Sequence, residues 1–198
     1  MVRLKRAQLR KQLCVRGTTF ICVGRLLRLK GLNSLLDALK KVQQQTESEV
    51  SLLLVGDGAD ENLFRNKCNV EGIRNVIFTR FCHKEELPKM YAAADVFVFP
   101  TLGDPYGLVV DEAMACRLPV ISTSAAGEIR DRVEEGINGY IVPPGNSHVL
   151  AEAMLKLVKN SNLRRHMGSV SAEKIAGHIP EKWAEDFERI VFSIIQSS

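Results

Sequence analysis

The stretch Asp95-Val96-Phe97-Val98-Phe99-Pro100-Thr101-Leu102-Gly103-Asp104-Pro105-Tyr106-Gly107-Leu108-Val109-Val110-Asp111-Glu112-Ala113-Met114 changes its hydrophobic period halfway along. After Asp95 it runs as a short, unbroken apolar segment, whereas Val109, Val110, Ala113 and Met114 recur at helical spacing. Pro105 and Gly107 end the extended backbone between the two halves. A strand therefore feeds a helix whose first free amides fall near Gly107, Leu108 and Val109. Amides at a helix start lack intrahelical partners and carry the positive end of the macrodipole, so a phosphate placed there is stabilised without a dedicated side chain. Glu112, about one turn inside the helix, is placed to accept hydrogen bonds from hydroxyls of the same ligand. The same residues equally suit a plain strand–helix connection with a solvated acidic edge, and the rest of the chain has to decide.

Along the rest of the chain, short β-rich runs alternate with longer helical patterns. Thr18–Val23, Val50–Val55, Asn75–Phe78, Asp95–Phe99, Pro119–Ser122 and Gly139–Val142 read as strands. Leu32, Leu35, Leu36, Leu39 and Val42 mark one helical face, and Val149, Leu150, Ala153, Met154, Leu157 and Val158 mark another. Alternation of this kind predicts a parallel sheet covered on both sides: a Rossmann-like, three-layer α/β/α domain with ligands at the carboxyl ends of its strands. Arg25, Gly56 and Asp104 all fall at that end. Two further helices are expected near the tail, over about 162–175 and 181–195. The second carries a broad stripe of Trp183, Phe187, Ile190, Val191, Ile194 and Ile195, which suits either a packed terminal helix or a docking surface.

The 198 residues, 45% hydrophobic and 25% charged, suit one soluble domain. No apolar run approaches the roughly 20 residues of a membrane span, and the basic opening (Arg3, Lys5, Arg6, Arg10, Lys11) lacks the apolar core of a signal peptide. An intracellular, cytoplasmic protein is expected. The five cysteines show no Cys-x-x-Cys spacing and read as reduced residues. A mild net charge of +4, with scattered basic residues, argues against nucleic acid as the partner. No Asp-x-Asp or His-x-x-x-His arrangement suggests a catalytic metal, and no Gly-x-Ser-x-Gly elbow suggests a hydrolase.

Gly24-Arg25-Leu26-Leu27-Arg28-Leu29-Lys30-Gly31 follows the first strand and places cations on the loop before a helix. Arg25 can fork onto phosphate oxygens and Lys30 supplies a compact charge. Together with the amides at Gly107 they suit a diphosphate, most of all as it departs as an anion. Val55-Gly56-Asp57-Gly58-Ala59-Asp60-Glu61 imitates a dinucleotide fingerprint but has Glu61 in place of the third glycine and two aspartates in the turn. Its glycines serve either a close backbone approach to a ligand or a tight turn.

These motifs, with Val23-Gly24-Arg25-Leu26, Leu87-Pro88, Tyr91 and Ala94-Asp95-Val96, resemble the C-terminal, donor-binding domain of the GT-B retaining glycosyltransferases. That family, glycosyltransferase family 4-like or "glycosyl transferases group 1", includes sucrose synthase and sucrose-phosphate synthase. The resemblance runs from about Lys5 to the end, with a linker-like helix near 1–16 and a closing helix near 181–195. It implies one domain over 1–198 that binds a nucleotide diphosphate sugar as donor substrate, with no other cofactor and no metal. Arg25 and Lys30 would hold the diphosphate, and the backbone of Gly107, Leu108 and Val109 would meet the phosphates or sugar, with Gly24 and Tyr106 also in the donor-binding set. Glu112 would take the ribose hydroxyls and Asp104 would face the transferred sugar; Arg25, Lys30 and Asp104 form the implied catalytic set. The partner would be an N-terminal GT-B domain carrying the acceptor site, and any peripheral membrane contact would belong to the full enzyme. Asp104 stands where the family has glutamate, Arg80 where it usually has glycine near the base pocket, and Arg117 where glycine is common. A GT-B-type sugar-nucleotide epimerase and a non-catalytic binding module share much of the pattern.

Overall fold

The computed structural model describes residues 6–176 together with 189, 191 and 192. Six strands, β1 (Thr18–Val23), β2 (Val50–Val55), β3 (Val76–Thr79), β4 (Val96–Phe99), β5 (Val120–Thr123) and β6 (Gly139–Val142), form one sheet in the order β3-β2-β1-β4-β5-β6. Every neighbouring pair is parallel. The helices are α1 (Arg6–Gln12), α2 (Leu32–Gln45), α3 (Glu61–Glu71), α4 (Leu87–Ala93), α5 (Leu108–Ala115), α6 (Ile129–Arg132), α7 (Ser147–Lys159) and α8 (Ser161–Ala176), with a 3-10 turn at Arg28–Lys30. The expected three-layer α/β fold is the one found.

The sheet is covered on both faces, and alternate residues of one strand serve opposite cores. Phe20 and Cys22 pack with Leu35, Leu36 and Leu39 of α2 and Leu150, Met154 and Leu157 of α7. Ile21 and Val23 lie in the other core with Phe97, Phe99, Tyr91 of α4, and Val110, Ala113 and Met114 of α5. This double burial is why the strands read as continuous apolar runs.

Three strands begin one residue later than expected, each for a local reason, and β3 and β5 also end one residue later. Asn75 has φ 56, a left-handed conformation outside the extended region, so β3 begins at Val76. Pro119 has no N–H to give to a ladder, and Asp95 is occupied by α1. There Arg6 and Arg10 bond the Asp95 carboxylate and the carbonyls of Ala92, Ala93 and Ala94, stabilising the C-terminal end of α4. The opening arginines thus anchor α1 to the domain. The helix expected over 162–175 is α8. The one expected over 181–195 lies outside the described residues except at Arg189, Val191 and Phe192; Val191 is buried, and Arg117 sits 4.8 Å from the Phe192 ring. Arg117 itself has φ 59, a conformation that glycine adopts without strain. No described helix is long and apolar enough to cross a membrane.

In this strand order the winding of the chain reverses between β1 and β4, the switch-point crevice at which open α/β sheets bind ligands, and the loops that follow those two strands meet there, the Leu102 amide donating to the Leu29 carbonyl at 2.9 Å. One loop is Gly24–Gly31 and the other Pro100–Gly107.

Candidate functional site

Lys30 ends the first loop and Asp104 sits in the second, 74 positions on, and the crevice brings them together: Lys30 Nζ lies 2.5 Å from Asp104 Oδ2. Both side chains are largely withdrawn from solvent, 28% and 14% exposed. The Asp104 carboxylate also accepts the Tyr106 amide at 3.2 Å, so the turn after β4 closes on its own acid. A ligand anion reaching Lys30 has to take it from Asp104.

Gly107 precedes α5 with φ 76, and a Cβ there would stand 2.6 Å from the Phe99 ring, so both conformation and space demand glycine. The amides of Gly107 and Leu108 donate no hydrogen bond among the described residues, and Leu108 is 69% exposed. The orphan amides expected at this helix start are present. Val109 is half-buried in the same turn.

Glu112 lies one turn into α5, where the Tyr91 hydroxyl donates to its Oε2 at 2.8 Å. Burial holds the Glu112 carboxyl above its ordinary range, offset in part by Tyr91 and by Lys84, while Asp111 adds to the rise. Burial, joined by the Glu112 charge, pushes the Tyr91 phenol well up, which keeps it a donor. Glu112 is therefore oriented from below with one oxygen already engaged.

Arg25 is exposed and its side chain makes no hydrogen bond or ion pair among the described residues. It lines a mostly apolar cavity of about 190 Å³ with Gly24, Gly56, Asp57, Phe81, Cys82 and Leu87, at the carboxyl ends of β1 and β2. Lys30 thus stands paired with Asp104, while Arg25 stands at the mouth of this cavity. Arg80 is exposed and does not line the cavity; Phe81 and Cys82, which follow it, do.

The Gly56–Gly58 turn proves to support a neighbouring loop. A Cβ on Gly58 would stand 2.4 Å from the Leu26 carbonyl oxygen, and one on Gly56 2.2 Å from that of Gly24. The Asp57 carbonyl accepts the Leu26 amide at 2.7 Å, and the Asp60 carboxylate accepts the Arg28 amide at 2.9 Å. The Asp57 backbone and the Asp60 carboxylate thus brace the loop that carries Arg25 and Lys30.

One residue escaped the sequence reading. Arg132, at the end of α6, is 5% exposed and binds Asp111 together with three carbonyls of the loops around the site. Its signal was an arginine on the apolar face set by Ile129 and Val133. Among the described residues no cluster of three or more His, Cys, Asp or Glu is placed to hold a metal ion.

The family profile described as "Glycosyl transferases group 1" matches residues 6–174. The phosphatidyl-myo-inositol mannosyltransferase of Mycobacterium leprae is 34% identical over 164 residues, covering 80% of this chain and 42% of that protein. Among solved structures, Anabaena Alr3699/HepE in complex with UDP and glucose superposes with a TM-score of 0.80 at 25% identity, over 98% of this chain and 52% of that one. The C-terminal domain of a glycosyl transferase group 1 family protein from Francisella tularensis has the same fold, with a TM-score of 0.77 at 23% identity, over 89% of this chain and 95% of that domain. The chain spans roughly two fifths of the length of the curated relatives it matches. With the profile covering most of its length and the switch-point crevice built from the motifs that first suggested it, this chain belongs to the group 1 glycosyl transferases.

Proposed function

We propose that the chain is the donor-binding half of a retaining, metal-independent glycosyltransferase acting in the cytoplasm, transferring a hexose from a nucleotide diphosphate sugar to an acceptor hydroxyl. The observation that carries the reading is the crevice itself: Lys30 held by Asp104 beside two undonated amides, with Glu112 braced one turn away. The diphosphate draws Lys30 from Asp104 and meets the Gly107 and Leu108 amides. The freed Asp104 carboxylate then accepts from a sugar hydroxyl, and Glu112 from the ribose. The acceptor oxygen bonds the anomeric carbon on the face from which the diphosphate departs, the carbon–oxygen bond to phosphate breaks, and the acceptor proton passes to the leaving phosphate oxygen. Lys30 and Arg25 stabilise the charge that develops there. A second Rossmann-like domain supplies the acceptor side.

A thermal-shift panel of nucleoside diphosphates and their sugar conjugates tests this, with UDP first because HepE was solved with it. Ligand at about 100 times its Kd should add roughly 2.7 kcal/mol of stability. The shift is expected to survive EDTA, and the chain alone is expected to transfer no sugar. A panel in which no nucleoside diphosphate raises the melting temperature would overturn the reading, and a shift abolished by EDTA would overturn metal independence.

The raised Glu112 carboxyl adds a pH signature. Protonated glutamate resembles glutamine, so the affinity gap between wild type and Glu112→Gln should be wide at neutral pH and narrow on acidification, beginning above the pH at which an exposed glutamate titrates. Comparing the two proteins at each pH cancels the titration of the diphosphate itself. A gap that stays constant from pH 8 to pH 4.5, measured by calorimetry, assigns the ribose contact elsewhere.

A further inference from the structure

The loops after β4 and β5 are tied together from beneath by one buried cation. Arg132 Nη1 donates to the Gly107 carbonyl at 3.2 Å and to Asp111 Oδ1 at 2.9 Å, and Nη2 donates to the carbonyls of Tyr106 and Gly127, the latter at 2.9 Å. Its guanidinium carbon stands 4.2 Å from the centre of the Tyr106 ring. The two loops are in close contact there, because a Cβ on Gly127 would lie 1.9 Å from the Pro105 carbonyl oxygen. Asp111, itself buried, supplies the counter-charge. Arg132 Nε is buried with no partner, a cost that the bonds at the other two nitrogens have to offset.

Two of the three carbonyls that Arg132 collects belong to the peptides Tyr106–Gly107 and Gly107–Leu108. A trans peptide is planar, with its C=O and its N–H pointing in opposite directions. Holding the Tyr106 oxygen inward therefore turns the Gly107 N–H outward, and holding the Gly107 oxygen inward turns the Leu108 N–H outward. Both amides donate to nothing among the described residues, as does the Val109 amide that follows them. Gly107 is also the residue about which these peptides rotate most freely; its own carbonyl is held in addition by the Val110 amide at 2.9 Å, so the Tyr106 carbonyl, and with it the aim of the Gly107 amide, depends most on Arg132.

We propose that Arg132 is a positioning residue of the donor site, which aims the Gly107 and Leu108 amides at the phosphate oxygens by gripping the carbonyls behind them. It touches no donor atom. The proposal rests on the donor-binding function given above and adds to it the means by which the phosphate subsite is preorganised.

The test compares the 198-residue chain with Arg132→Lys, which keeps the charge but cannot fork across several acceptors, and with Arg132→Met. Each protein is titrated calorimetrically with UDP and with uridine, or with GDP and guanosine if GDP binds wild type more tightly. In both variants diphosphate affinity should fall at least tenfold while nucleoside affinity changes less than twofold; a general loosening of the domain would weaken both alike. Backbone NMR of the unaltered chain gives a second measurement that needs no variant to fold: on adding the diphosphate, the Gly107 and Leu108 amide protons should move downfield. Wild type that binds no nucleoside diphosphate removes the functional reading and this proposal with it. Wild type that binds, with Arg132→Lys retaining full diphosphate affinity or with the two amides unmoved, removes only the role given to Arg132.

Discussion

Lys30→Ala is expected to lower turnover of the complete enzyme by about 100- to 1,000-fold, the usual consequence of losing a donor at a developing anion. In the resting protein Lys30 is held by Asp104 at the crevice floor, so its ammonium is already within reach of the place where the leaving phosphate gains charge. Stability should hardly change. A partly exposed ion pair contributes about 0–1 kcal/mol, and the methylene stem is the only packing lost. Arg25→Ala should also slow turnover, by a smaller factor, because Arg25 is exposed at the mouth of the apolar cavity. Rates at saturating donor, with melting temperatures of the same preparations, decide the matter. Near-normal turnover in Lys30→Ala removes its leaving-group role.

The two acids should separate the two ends of the donor. Glu112→Gln keeps the shape and the contact with Tyr91 but loses the charged acceptor, so the bare diphosphate and its sugar conjugate should both weaken, each by about 1–3 kcal/mol. Asp104→Asn should do the opposite to the bare diphosphate. Lys30 no longer has a carboxylate to leave, and the affinity should stay the same or rise by as much as about fivefold, the worth of an ion pair of this kind. The sugar conjugate should lose affinity relative to the bare diphosphate, because asparagine is the weaker acceptor for a sugar hydroxyl. Calorimetry with both ligands on both variants reads this directly. A loss at Asp104→Asn that is equal for the two ligands places that acid at the wrong end.

Most of the fold was legible because burial on two faces leaves unmistakable apolar runs: β1, β2 and β6 begin and end where the sequence places them. The boundaries that moved were set by single residues, such as the left-handed Asn75 and the arginine-bound Asp95, whose conformations are not carried by hydrophobic periodicity. At the site, the turn and helix start around Gly107 were readable from local chemistry. What escaped was long-range. The Lys30–Asp104 pair spans 74 positions and Arg132 reaches back 25 to Gly107, so neither contact has any local pattern. Arg132 also carried a charge onto an apolar face, where periodicity treats a cation as noise. The Gly56–Gly58 turn, left open between a tight turn and a close approach to a ligand, was undecidable for a related reason: its glycines make room for the carbonyls of Gly24 and Leu26, and a close approach to backbone leaves the same trace in sequence as a close approach to phosphate.

The diphosphate of a sugar nucleotide is expected in the crevice between the loops after β1 and β4. A crystal structure of the chain with UDP tests it most directly. The terminal phosphate is expected within hydrogen-bond distance of Lys30 Nζ and of the Gly107 and Leu108 amides, with Lys30 drawn off Asp104 and the ribose hydroxyls on Glu112. A diphosphate seated instead on the Gly56–Gly58 turn, with the Lys30–Asp104 pair undisturbed, would contradict it.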